Sequence, residues 1–407
     1  MKHPSDLRRR QLLAGGAGAL VTAAMGGWST AALAGTVELP FANGKRSLAT
    51  YPEKRELIVL TSRPPQLETP WSVYNDGLIT PNDAFFVRYH NAGLPESVDG
   101  DKHAISIGGN AVGKKFSITV EELRTQFKPV EFVAVKQCSG NSRGFSSPRV
   151  QGGQSANGAM GNASWVGVPL KDILARAEIK SSAQKVTFRG LDTAIHELDF
   201  MKELDVHHAM AGEVMVAYQM NGTDLPMLNG FPVVLVVPGY YGTHWVKHLS
   251  EINVNDNETK NFWLNPAYRI PDQDCVCQEP GGPGPAATRQ IGRLNVRSFI
   301  TSVTDGATLH AGQATAVRGI AFDGGQGIRE VAWSSDGGQS WSEATLGKDI
   351  GRFSFREFTF GFTPTKGSHN LLVRAWNRSG QSQPMEALWL PSGYMRNVVE
   401  SVKVTAV

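Results

Sequence analysis

Val135-Lys136-Gln137-Cys138-Ser139-Gly140-Asn141-Ser142-Arg143-Gly144-Phe145 is the stretch on which the reading of this chain turns. The apolar run from Val130 to Val135 reads as a buried strand. Cys-Ser-Gly-Asn is a turn cluster that ends the strand and lifts the cysteine out at its tip. Cys138 is one of 3 cysteines, and Arg143 follows closely enough to stand over the same turn. A cation there favours the thiolate, the form that attacks electrophiles or binds soft metals. No second cysteine or paired histidine lies nearby at zinc-ligand spacing, which argues against zinc. On residue types alone Cys138 is a small buried residue before a loop, a nucleophile paired with a histidine, or a metal ligand.

The flanking sequence supplies candidates for an anion site. Phe85-Phe86-Val87-Arg88-Tyr89-His90 alternates, so Arg88 and His90 share one face of a strand and form either an anion-binding surface or a solvated one. Gln154 to Trp165 is rich in small residues, and its glycines would let backbone N–H groups approach a ligand; a surface loop has the same composition. Val233 to Val237 reads as a central buried strand that breaks at Pro238-Gly239. Lys247 follows this Gly-rich turn, where a lysine reaches a phosphate or projects into solvent. Between these segments, Thr119 and Glu122 form a capping box that starts a helix, and Pro129 ends it.

Cys138-Ser139-Gly140-Asn141-Ser142-Arg143 resembles the molybdenum-ligating cysteine loop of the sulfite oxidase family. Phe85 to His90 is similar to that family's Phe-Phe-Val-Arg-x-His motif. The stretches Gly158 to Trp165, Leu225 to Lys247 and Trp263 to Tyr268 extend the likeness in the same order. It runs from Glu56 to Val404 and is nearest to bacterial periplasmic sulfite dehydrogenases.

The resemblance implies a molybdenum–molybdopterin cofactor with Cys138 as the metal ligand. It further implies a catalytic set of Arg88, Cys138, Arg143, Tyr268 and Arg396. The cofactor-binding set it implies is Phe86, Arg88, Tyr89, His90, Cys138, Asp192, Asn229, Trp245, Val246 and Lys247. This chain departs from the animal enzymes at Asn229 and Val234, where they have His and Arg. It departs again at Ser392, where they carry an arginine that Arg396 is expected to replace. The implied reaction is oxidation of sulfite to sulfate by oxygen-atom transfer. No Cys-x-x-Cys-His haem site and no nucleotide-binding glycine motif occur, so a periplasmic c-type cytochrome or haem subunit is the expected electron acceptor. A sulfane dehydrogenase subunit or a sulfoxide reductase of the same fold is the nearest alternative. A cofactor-free binding protein is the alternative from another class.

Residues 1–34 read as a twin-arginine export signal: Arg8-Arg9-Arg10-Gln11-Leu12-Leu13 precedes a Gly/Ala-rich apolar stretch and Ala32-Leu33-Ala34. The stretch is short for a membrane span, so the mature protein is expected in the periplasm without an anchor. The 40 basic residues against 37 acidic give a net charge of +3 with no long basic run, which argues against a nucleic-acid partner. At 407 residues two domains are expected.

The fold class is α+β: a sulfite-oxidase-type molybdopterin-binding domain over residues 50–285, then an all-β immunoglobulin-like sandwich over residues 290–407. The Pro/Gly-rich stretch Glu279 to Thr288 links them. By the resemblance, the sandwich serves homodimerisation. Cys275-Val276-Cys277 fits neither zinc nor haem and its redox state is left open. Ser334 to Trp341 reads as turn chemistry and not as a sugar site.

Overall fold

The computed structural model describes residues 32–194 and 199–407. Most of the expected export signal, residues 1–31, lies outside the described residues. Strands dominate. The first sheet is an antiparallel meander of β1 (Ala32–Glu38), β2 (Lys45–Thr50), β3 (Glu56–Ser62), β4 (Pro65–Glu68) and β5 (Val87–Arg88). The second has the order β11-β10-β15-β6-β7, from β6 (Ala104–Gly108), β7 (Phe116–Thr119), β10 (Lys185–Gly190), β11 (Met201–Asp205) and β15 (Leu249–Asn255). The third, which carries the cysteine, has the order β13-β12-β9-β8, from β8 (Val130–Gln137), β9 (Met160–Pro169), β12 (Met215–Met220) and β13 (Thr223–Asp224). In this sheet β14 (Val234–Val236) pairs with β12 alone.

Helices are short. α1 (Val120–Gln126) begins at Thr119, whose Oγ1 accepts from the Glu122 amide while the Glu122 carboxylate accepts from the Thr119 amide, the expected capping box. α2 (Leu170–Arg176) follows Pro169 directly. Among the described residues no helix is long and apolar enough to cross a membrane.

The C-terminal part holds two further sheets. β18 (Arg297–Ile300), β20 (Thr315–Phe322), β24 (Arg356–Phe362) and β23 (Thr345–Leu346) form one. β19 (Ala307–Leu309), β26 (Ser401–Ala406), β25 (Gly367–Asn377), β21 (Ile328–Ser334) and β22 (Ser342–Glu343) form the other. Both contribute to one apolar core, with Val317, Phe358 and Phe360 from the first and Val331, Leu371 and Val373 from the second. The larger core of the N-terminal sheets also takes in Phe299, Phe322, Phe353 and Phe355, so the two parts share packed surface.

Three expectations need revision. The strand read over Phe85 to His90 shrinks to Val87–Arg88, because Phe85 and Phe86 stack in the core instead. The small-residue stretch is only half loop: Met160 onward is β9, paired residue for residue with β8. The apolar run at Val233 is fully buried as expected, but it lies beside one partner strand and is not central. In the hairpin at Ser334 to Trp341, Asp336 accepts from the Gln339 and Ser340 amides and from both serine hydroxyls, which is turn chemistry. Cys275 and Cys277 form a disulfide.

Candidate functional site

Cys138 sits immediately past the end of β8, half-buried and free. Its amide donates to the Ala159 carbonyl at 2.9 Å, and its carbonyl accepts from the Asn141 amide at 3.0 Å, which closes the turn. A second loop zips onto the first. The Ser142 amide donates to Ala156, the Gly144 amide to Ser155, and the Ser155 hydroxyl to the Gly140 carbonyl at 2.8 Å. The Asn141 side chain spans both, accepting from the Ala159 amide at 3.0 Å and donating to the Asn157 carbonyl at 3.2 Å. Beneath lies Glu68 of β4, which accepts from the Ala156 amide at 2.7 Å; burial pushes its carboxyl up to about 8.

Facing this loop is a group of cations and aromatic rings. His90 Nε2 is hydrogen-bonded to the Tyr268 hydroxyl, and the imidazole stacks on Phe200 with ring centroids 4.1 Å apart. Lys202 lies over the Tyr268 ring, 4.3 Å from its centroid, and donates to the Trp263 carbonyl at 2.5 Å. Lys247 donates to the Arg88 carbonyl at 2.6 Å and lies against the Tyr89 ring. Tyr89 meets His248 Nε2 at 2.7 Å.

Burial, reinforced by Arg88, Lys202, Lys247 and Lys136, holds the His90 imidazole well below its usual range. Burial lowers Lys202 and Lys136 to about 7 each, and it lowers Lys247 well below the ordinary lysine value, with Lys136 adding repulsion. Asp192 is the counter-charge to Lys247; burial pushes it up to about 6 against the pull of that lysine, and it accepts from Asn91 at 3.1 Å. A desolvated excess of positive charge beside a free thiol suits an anionic ligand.

The third side of the site comes from the C-terminal segment. Arg143 donates through Nε to the Ser392 carbonyl at 2.9 Å and lies over the Tyr394 ring. Tyr394 stacks on Tyr268 with centroids 5.3 Å apart and planes 7° apart, and the Met395 amide donates to the Ser139 carbonyl at 3.0 Å. Ser142, His248, Tyr268 and Met395 all have positive φ, at 70°, 50°, 56° and 61°. Such left-handed backbone at non-glycine residues costs on the order of 1 kcal/mol each and gathers where surrounding structure overrides local preference.

Arg88, His90, Cys138, Arg143, Asp192, Tyr268 and Lys247 thus converge, with Tyr89 below them. Phe86, Trp245 and Val246 are buried packing around the group. Asn229 is turned elsewhere: its amide accepts from Lys54 at 2.5 Å and donates to the Phe86 carbonyl at 3.1 Å. Arg396 is directed to Glu400 at 3.5 Å and lies over Phe145. Lys136, Lys202, Tyr394 and Glu68 were not singled out from the sequence. For Lys136 the signal was available, since it is a charged residue at the end of an apolar strand, two residues before Cys138.

Two family models match the chain: the oxidoreductase molybdopterin binding domain over residues 91–263 and the Mo-co oxidoreductase dimerisation domain over residues 288–407. Mitochondrial sulfite oxidase of Mus musculus is 33% identical over 302 residues, which is 71% of this chain and 53% of that protein. Sulfite oxidase of Gallus gallus is 33% identical over 308 residues, 72% of this chain and 64% of its own length. The chain therefore spans about half to two thirds of these relatives. In fold it is similar to the crystal structure of the sulfane dehydrogenase SoxCD from Paracoccus pantotrophus, with a TM-score of 0.72, 24% identity and 83% of each chain covered.

Proposed function

Since the chain belongs to the sulfite oxidase family of molybdopterin oxidoreductases, we propose that it oxidises sulfite to sulfate at a molybdenum–molybdopterin centre held by Cys138. The observation that carries this reading is the excess of cations around one free thiol. Arg88, Lys136, Lys202 and Lys247 all act on His90, Asp192 is the carboxylate that acts on Lys247, and an anionic cofactor would balance them. A soft sulfur donor at a strand end, outside any disulfide, is also what molybdenum chemistry requires.

Cys138 would ligate the metal, and Lys247 with Asp192 would hold the pterin side. When bound, the cofactor supplies a two-electron oxidation coupled to oxygen-atom transfer. Arg88 and Arg143 neutralise the sulfite oxyanion as it approaches and reacts. Tyr268 keeps its proton, because burial pushes its phenol up, and His90 stays neutral for the same reason. The Nε2–H tautomer of His90 donates to the phenol oxygen and leaves the phenol proton free to bond a substrate oxygen. Electrons pass to an external carrier, a periplasmic c-type cytochrome or haem subunit, and the C-terminal immunoglobulin-like domain pairs two copies of the chain.

The likeness to SoxCD concerns the fold, and it makes sulfane oxidation the second reading. Purified, natively exported protein should contain molybdenum and pterin and should reduce cytochrome c on addition of sulfite. Loaded protein that is silent with sulfite but active on a sulfane-sulfur substrate would replace the main reading with the second. Loaded protein that reduces methionine sulfoxide instead would make it a reductase.

A further inference from the structure

The cations of the site are unequally provided for. Lys202 and Lys247 each give a hydrogen bond to a backbone carbonyl, Arg88 donates to the Tyr89 carbonyl, and Arg143 donates to Ser392 and Gly153. Lys136 is only 7% exposed, and its ammonium has no hydrogen-bond or ion-pair partner among the described residues. The Trp245 ring lies beside it, 5.6 Å from nitrogen to centroid. An ammonium removed from water and left unpaired costs several kcal/mol in protein interiors, and neighbouring cations raise that cost.

Its position is defined by the strand. Lys136 is the penultimate residue of β8, two residues before Cys138, which stands just past the end of that strand. Its stem runs past Gly242, where an added Cβ would stand 3.3 Å from the lysine Cγ, so the glycine leaves room for the chain to pass. Electrostatically, Lys136 acts on Lys247, His90 and His248, and Cys138 acts on it. Lys136 is therefore within electrostatic reach of both the cysteine sulfur and Lys247.

We infer that Lys136 is a cofactor-binding residue whose ammonium pairs with the anionic dithiolene–pterin portion of the bound group. The inference rests on the molybdopterin reading above. Two consequences follow from a fixed positive charge at that place. The cofactor is held more tightly, and the more negative, reduced state of the centre is favoured, which raises its midpoint potential.

The test compares Lys136→Met, Lys136→Gln and Lys136→Arg in the full exported chain, with wild type measured first. Molybdenum and pterin per polypeptide are followed during dialysis, and the midpoint potential of the metal is measured by redox titration without sulfite. Lys136→Met and Lys136→Gln should lose cofactor on the order of tenfold faster and titrate at a more negative potential, with Lys136→Arg close to wild type. If Lys136→Met emerges from cells empty while Lys136→Arg is loaded, the inference is also supported.

Retention and potential unchanged in Met and Gln variants would overturn it. So would a rise in sulfite KM alone, which would assign the ammonium to the substrate, or misfolding of all three variants, which would make the lysine structural. Loaded wild type that fails to oxidise sulfite would remove the proposed substrate and leave this inference standing. Wild type devoid of pterin would remove the cofactor reading itself before any variant is compared.

Discussion

Two side chains test the chemistry most directly. Cys138 makes its turn contacts through backbone atoms, so the sulfur can be exchanged for oxygen without disturbing the loop. Cys138→Ser should keep wild-type secondary structure and melting temperature while losing molybdenum and at least a hundredfold in sulfite turnover. Full metal content with undiminished turnover would exclude it as ligand. Tyr268→Phe removes the phenol but keeps the ring stacked between Tyr394 and Lys202. If that hydroxyl bonds substrate oxygen during reaction, kcat should fall roughly a hundredfold, as when one positioned donor is removed. A change confined to KM would mean that the phenol serves binding only.

At the scale of elements, the cysteine loop depends on the loop that zips onto it, and Glu68 fastens that second loop at the Ala156 amide. Burial raises its carboxyl from 4.5 to about 8 in the folded protein, so the folded state holds a proton that the unfolded chain releases near pH 4.5. Its contribution is complete below that pH and is lost as the pH rises toward 8. The slope is at most about 1.4 kcal/mol per pH unit. Glu68→Gln should flatten the melting temperature between those limits relative to wild type, as followed by thermal denaturation across pH. Parallel profiles would show that Glu68 is ionised in the fold.

Elements of this kind differ in how far sequence alone reveals them. The Thr119–Glu122 capping box and the strand β8 are local patterns and are legible directly. Motif likeness named Arg88, His90, Cys138, Arg143, Tyr268 and Lys247, which the fold brings together. Glu68 and Lys202 escaped because what makes them matter is supplied by distant segments. A glutamate in a four-residue strand carries no mark of burial until the Ser155–Gly158 loop covers it. Lys202 is unremarkable until Tyr268 and the Trp263 carbonyl arrive from some sixty residues away. Asn229 shows the converse. Its motif places it at the site, but Lys54, from the N-terminal sheet region, takes up its carbonyl.

For the molecule as a whole, the C-terminal part is tied to the cysteine loop through Arg297. This arginine of β18 is fully buried and donates through one nitrogen to the Ser142 hydroxyl of the cysteine loop at 3.0 Å and to Glu400 at 3.1 Å. Removing it leaves a largely buried carboxylate with only Arg396, at 3.5 Å, among the described residues. Breaking such a pair costs roughly 3–5 kcal/mol. Phe358→Ala, in the separate core of the C-terminal sheets, should cost about the same by creating a cavity. The two substitutions are thus matched in stability and differ in what they touch. Arg297→Met should lower both the denaturant midpoint and the turnover per molybdenum, because Ser142 holds a left-handed backbone next to Arg143 and loses an anchor. Phe358→Ala should lower the midpoint alone. Equal turnover per metal in the two variants would mean that the C-terminal part supports the fold without tuning the site, and that the Arg297–Ser142 bond carries no functional coupling.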